Sequence, residues 1–210
     1  MTTRHTTPRE ITQTLRTYEH DAESFLKQWG RKRYKRPALL LQWTALLHQP
    51  ALVLDLGCGA GQDARYLKTL GYRVIGFDRS MPLLRFAKRR SESLPLVQAD
   101  LRALPIRIGT LDGIWAAASL MHLPKPMARQ VLVRLRDSVR PNGLLAATVT
   151  HGWRSRVKQK GWMPGRYFAR WKKEELARAL HRAGWEVLSL CVVSNRERKG
   201  RWINVIARRM

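Results

Sequence analysis

Three aspartates stand where a parallel sheet would open onto a ligand. Asp55 follows the apolar run Leu52-Val53-Leu54, Asp78 closes the run Tyr72 to Phe77, and Asp100 closes Pro95 to Ala99. Short apolar runs of this kind read as buried parallel strands, and such sheets take ligands beyond the carboxyl ends of their strands. After the first acid, glycines occupy alternate positions at Gly57, Gly59 and Gly61. Lacking a Cβ, they let the backbone turn sharply and come close to whatever is bound. Carboxylates suited to ribose hydroxyls, set around bare backbone, point to a nucleotide-like ligand. A dinucleotide fingerprint would need a glycine at position 62, where Gln62 stands, so the spacing points away from NAD.

The run Asp55-Leu56-Gly57-Cys58-Gly59-Ala60-Gly61 resembles the first motif, (D/E)-x-G-x-G-x-G, of the class I S-adenosylmethionine (SAM) dependent methyltransferases. The turn Arg140-Pro141-Asn142-Gly143 is similar to that family's (R/K)-P-G-G before the fifth strand, with Asn142 in place of the first glycine. The resemblance covers about residues 15–209 and implies SAM as cofactor, S-adenosylhomocysteine (SAH) as product and no metal. It implies that Asp78, with Arg79 beside it, meets the ribose, and that Asp100 and Leu101 meet the adenine. Asp55, Gly57, Cys58, Gly59, Gly61 and Ala117 complete the implied cofactor site. Tyr18-Glu19-His20-Asp21-Ala22 matches a leading Tyr-x-x-x-Ala segment that packs over the SAM pocket. For Tyr18 the alternative is core packing, for Asp100 a solvated loop acid, and for Asp78 a helix cap, a task that Ser80 ahead of Pro82 also suits.

Methyl transfer from a sulfonium releases a neutral leaving group, so the protein mainly has to position the acceptor. A base helps only an acceptor that starts protonated. The acceptor is expected at the end of the fourth strand, Trp115 to Pro124, where Ala116, Ala117 and Ala118 keep the edge open and His122 is the titratable group. His122 is the candidate base, because imidazole titrates near neutrality; packing behind the pocket is the alternative. His151, Arg154, Arg166 and Tyr167, from a stretch mixing cations and aromatics, and Trp202 from the last strand are candidate acceptor contacts. These segments resemble small bacterial methyltransferases of a loosely tellurite-resistance-type group, with a shorter echo of the tRNA wobble-uridine methyltransferases. The expected acceptor is a small molecule; the alternatives are an RNA (tRNA) acceptor and a SAM-binding protein without activity.

To place these residues, strands and helices must alternate from Ala51 onward: helices over Gly61 to Leu70, Met81 to Ser91 and Pro126 to Val139 between strands ending near Asp55, Asp78, Ala99, Ala117 and Val149. That pattern gives a doubly wound, Rossmann-like α/β fold, and the resemblance adds a seven-stranded, mostly parallel sheet with an antiparallel last strand. Residues 1–50 are expected as an N-terminal helical cap, with one helix over Arg9 to Trp29 and another over Pro37 to His48. Residues 51–149 would form the SAM-binding core, and 150–210 a substrate-side excursion and a terminal β-hairpin, all in a single methyltransferase domain. The polar start, residues 1–8, reads as disordered and without a signal peptide, and no run reaches the length of a membrane span, so a cytoplasmic protein is expected. Cys58 and Cys191 form no C-x-x-C or Cys/His cluster, which leaves neither a disulfide nor a zinc site. The net charge of +25 is uneven, with 16 basic and four acidic residues in 151–210 and an acid-free cluster from Lys27 to Arg36. Such charge would draw polyanions through counterion release, and it would also serve solubility alone.

Overall fold

The computed structural model describes residues 8–195 and 200–210. The polar start (residues 1–7) and most of the turn expected between the last two strands (196–199) lie outside the described residues. In chain order the elements are α1 (Arg9–His20), α2 (Ala22–Phe25), a π-helical turn (Leu26–Gly30), α3 (Ala38–Thr44), β1 (Leu52–Leu56), α4 (Gln62–Thr69), β2 (Arg73–Asp78), α5 (Met81–Arg90), β3 (Leu96–Gln98) and β4 (Leu111–Ala117). A 3-10 turn (Leu120–His122), α6 (Lys125–Ser138), β5 (Val139–His151), β6 (Arg156–Val157), β7 (Tyr167–Phe168), β8 (Arg170–Trp171), α7 (Lys173–Arg182), β9 (Trp185–Asn195) and β10 (Gly200–Arg209) follow.

The main sheet runs β3-β2-β1-β4-β5-β10-β9, and β8 adds to the end of β5. β1 to β5 pair in parallel, whereas β10 is antiparallel to both β5 and β9. This is the expected doubly wound α/β sheet, and its order reverses between β1 and β4, which is where such a sheet opens a ligand crevice. Period-two alternation builds a core on each face. Leu54, Leu56, Ile114, Ala116, Leu145, Ala147 and Val149 face Leu132 and Leu135 of α6 and Leu176 and Leu180 of α7. Val53, Trp115, Leu144 and Ala146 face Leu40 and Trp43 of α3 and Ala64 and Leu67 of α4. A third, small cluster, Ala22, Leu26, Ala60 and Leu83, lays the N-terminal segment against the glycine turn and α5.

Four local readings are corrected. The single helix over residues 9–29 breaks at Asp21 (φ −101°, ψ 24°), and the chain continues as α2 and the π-helical turn. The break sets the turn against Ala60 while Tyr167 N–H donates to the Thr14 hydroxyl of α1 at 2.8 Å. Ser80 occupies the N-cap position of α5, but its hydroxyl donates to the Tyr18 carbonyl (3.1 Å) instead of capping. The 140–143 turn lies within β5: between the pairs Leu111↔Val139 and Gly113↔Leu144 the strand bulges, with Asn142 in the left-handed region (φ 62°), which asparagine tolerates. The helix after Pro37 stops at Thr44, short of His48. Among the described residues no helix is long and apolar enough to cross a membrane.

Candidate cofactor and acceptor site

β1 delivers Asp55 into the glycine turn, where Gly57, Gly59 and Gly61 all take positive φ (78°, 52° and 70°). At Gly57 a Cβ would stand 2.5 Å from the Ser119 Cβ, so the turn can lie against the end of β4 only with glycine there. The amides of Gly57 and Cys58 both donate to the Phe77 carbonyl (2.7 and 2.9 Å), which ties the turn to the end of β2. The next residue, Asp78, accepts from Gly59 N–H and Ser80 N–H, each at 2.8 Å. Its carboxyl is pushed up by burial, against the pull of those amides.

Asp55 is buried, and burial together with Asp63 and Asp78 pushes its carboxyl well above the usual range. Its Oδ2 and the Ser119 hydroxyl are buried without a partner among the described residues. An acid-rich turn with orphaned acceptors is an environment for a ligand that brings cationic and donor groups. Cys58, buried beside these acids, has its thiol pushed up by burial and is no candidate nucleophile.

At the neighbouring strand end, Asp100 is closed by Arg102: Nε and Nη2 donate to its two oxygens at 2.9 and 2.7 Å. Burial would raise the Asp100 carboxyl, but Arg102 outweighs it and the net shift is downward. Leu101 is half-buried next to this pair, and Arg79 is exposed beside Asp78. One contributor escaped sequence reasoning. Asp63, in the first turn of α4, accepts from the Trp115 indole N–H (2.8 Å) and the Tyr34 hydroxyl (2.6 Å), fixing β4 and the 31–37 link to the glycine turn. Its only sequence signal was an acid at a helix N-terminus, a common preference.

β4 ends at half-buried Ala117, and Ala118 takes a left-handed conformation (φ 59°) that swings the chain into the 3-10 turn carrying His122. His122 Nδ1 lies 2.7 Å from the Tyr167 carbonyl, so Nδ1 carries the proton, and Nε2 accepts from the Tyr18 hydroxyl at 3.0 Å. Burial lowers its pKa to about 4, with the Arg166 charge acting in the same direction, so the ring is neutral at physiological pH. Arg166 Nη1 donates to the same Tyr18 hydroxyl at 3.4 Å. The structure thus gathers Tyr18, His122, Arg166 and Tyr167 from three separate parts of the chain. Tyr18 also joins this group to the start of α5, since Ser80 donates to its carbonyl.

The other acceptor candidates stand elsewhere. Trp202 is 7 % exposed in the core, paired with Thr150 of β5, and His151 sits opposite Trp171 of β8. Arg154 is exposed. Among the described residues no group of three or more His, Cys, Asp or Glu side chains is arranged to hold a metal.

Residues 53–143 match the family model described as a methyltransferase domain. The chain is 36 % identical over 100 residues to a malonyl-(acyl-carrier protein) O-methyltransferase of Pseudescherichia vulneris, a match over 48 % of this chain and 39 % of that one. It is 31 % identical over 129 residues to a trans-aconitate 2-methyltransferase of Acidovorax sp. (strain JS42), over 60 % of this chain and 49 % of that one. The chain therefore spans less than half the length of either relative. The fold is shared with the Burkholderia thailandensis 1,6-didemethyltoxoflavin-N1-methyltransferase solved with its substrate and SAH, at a TM-score of 0.73 and 22 % identity, covering 100 % of this chain and 93 % of that one. The finer likeness to tellurite-resistance-type enzymes rests on the sequence resemblance alone. Domain match, glycine turn and strand order together establish that the chain belongs to the class I SAM-dependent methyltransferases.

Proposed function

We propose that the protein binds SAM at the carboxyl ends of β1, β2 and β3 and methylates a small-molecule acceptor seated beyond β4. The observation that carries the reading is the pair of buried, partnerless acceptors, Asp55 Oδ2 and Ser119 Oγ, beside a turn held open by Gly57. These residues fit a ligand with an ammonium, a sulfonium and a ribose: Asp55 for the cationic end, the bare backbone of Gly57 to Gly61 for close approach, Asp78 for the ribose hydroxyls. Arg79 flanks Asp78, Cys58 and Ala117 line the turn and the β4 end, and Asp100 with Leu101 takes the adenine once Arg102 gives way. When bound, SAM supplies an electrophilic methyl and departs as neutral SAH. The names of the two relatives, malonyl and trans-aconitate methyltransferases, support a small or carrier-borne acceptor.

His122 is assigned a positioning role: one nitrogen is committed to the Tyr167 carbonyl and the other to Tyr18. The test is calorimetric titration of SAH into wild type and Asp78→Ala. Loss of a charge-assisted hydrogen bond weakens affinity about tenfold or more. No binding by wild type, or equal binding by the variant, refutes the assignment.

A second reading, RNA as acceptor, is favoured by a groove of about 490 Å³ lined by four cations, Arg129, Lys172, Arg178 and Arg182, and one acid, Glu175. Beside it Trp153, 78 % exposed, lies 3.3 Å from Lys172 Nζ. Cations next to an exposed ring suit a nucleic acid backbone and its bases.

A further inference from the structure

We propose that Arg166 holds a carboxylate of the acceptor and that this carboxylate is the group methylated, an inference that rests on the SAM-dependent reading above. Arg166 is 5 % exposed, and among the described residues no acid pairs with it. Its Nε donates to the Met163 carbonyl (3.0 Å) and its Nη1 to the Tyr18 hydroxyl at 3.4 Å, which leaves three of the five guanidinium protons without an acceptor among the described residues. The aromatic rings of Trp162, Phe168 and Tyr18 stand 4.3, 5.3 and 5.7 Å from the guanidinium carbon. They offset part of the cost of burying the charge but supply no counterion. Two other half-buried cations do have one: Lys125 meets Glu175 at 2.6 Å and Arg102 meets Asp100 at 2.7 Å. The cover over Arg166 comes partly from Trp162, which is itself 39 % exposed, so the guanidinium lies just under the surface.

The absence of a free base here points to the same class of acceptor. Both ring nitrogens of His122 are committed, and Tyr18 already donates to one of them. An alcohol or an ammonium would find no group in this cluster to take its proton, whereas a carboxylate arrives deprotonated at neutral pH. One guanidinium balances one negative charge, which fits a carboxylate better than a phosphate dianion. With one carboxylate oxygen paired to Arg166, the other is left for the methyl carbon. Its lone pair forms the new O–C bond, the C–S bond breaks with its electrons passing to sulfur, and carboxylate and sulfonium both become neutral without any proton moving. The neutral ester no longer pairs with Arg166, which favours its release.

The test combines transfer and binding. Protein is incubated with methyl-labelled SAM and the small-molecule fraction of a cell extract, and the products are treated with mild alkali. Label is expected to return as methanol, the mark of a methyl ester. Arg166→Met should lower it roughly thirtyfold or more, the cost of leaving a buried charge pair half-made, and Arg166→Lys should restore part. SAH affinity of both variants should stay within about twofold of wild type, which separates loss of the acceptor contact from loss of fold. A readout without turnover is the nitrogen-15 resonance of the Arg166 Nε–H in SAH-loaded protein, assigned by its absence in Arg166→Lys. It should shift with malonate and not with malonamide.

Alkali-stable label, or labile label that persists in Arg166→Met, overturns the proposal. So does the absence of both labile label and a malonate-dependent shift while SAH still binds. Wild-type protein that fails to bind SAH would instead remove the cofactor reading beneath it.

Discussion

Acidification should destabilise the protein through His122 before its surface carboxylates titrate. The ring is neutral in the fold, with a pKa lowered from 6.5 to about 4 by burial and the Arg166 charge, the Tyr167 hydrogen bond opposing. Protonation would add a second buried cation beside Arg166 and abolish the acceptor that Tyr18 donates to. Between pH 6.5 and 4 the unfolded chain binds a proton at this position that the folded chain refuses. Stability therefore falls as pH drops through that window and levels off below it, by about 3 kcal/mol at 1.36 kcal/mol per pKa unit. Asp55 and Asp78, both pushed up by burial, act in the opposite direction, since the folded chain holds their protons where the unfolded chain has lost them.

Subtracting a His122→Asn series isolates the histidine, because the asparagine amide can still donate to the Tyr167 carbonyl and does not titrate. Urea denaturation of both proteins from pH 4 to 8 should give a stability gap that is widest above pH 7 and shrinks by about 3 kcal/mol toward pH 4. A gap that stays constant across the range would mean that His122 is not held neutral by this environment, and the committed-nitrogen argument would fail with it.

Two further substitutions test the scaffold of the site. Gly57→Ala places a Cβ 2.5 Å from the Ser119 Cβ at φ 78°, and should cost about 1–3 kcal/mol and weaken SAH binding; a variant with wild-type stability and affinity would refute the close-approach argument. Asp63→Ala strands the Trp115 indole N–H and the Tyr34 hydroxyl and should destabilise by about 2–4 kcal/mol in urea titrations. An unchanged midpoint would show that the network carries no stability.

Much of the sheet, and the glycine turn at its edge, was legible because both are written in local sequence. Apolar runs that end in acids, and glycines at alternate positions, need no tertiary partner to be recognised, whereas the hydrogen bond from Gly59 N–H to Asp78 becomes visible only in the fold. The N-terminal break at Asp21 was not legible, since apolar spacing runs straight through it and only packing against Ala60 and Tyr167 decides it. Asp63, Tyr34 and Trp115 lie far apart in sequence, so their network appears only in three dimensions. Arg166 and Arg154 come from the same basic, aromatic stretch, yet one is buried and the other exposed. Composition cannot separate them; the rings of Tyr18, Trp162 and Phe168, which gather around Arg166 only in the fold, do. Trp202 read as a possible contact because its segment resembles the terminal strand of related methyltransferases, but alternation along β10 turns its ring into the core.

Methyl transfer to a small anionic molecule is measured by giving the protein methyl-labelled SAM and a cell extract divided into small-molecule, RNA and protein fractions, with Asp78→Ala as control. Label is expected in the small-molecule fraction, reduced by about tenfold or more in the control as cofactor affinity falls. Label confined to nuclease-sensitive RNA would contradict the assigned acceptor and make the cationic groove part of the reaction, while no label in any fraction would contradict methyl transfer itself.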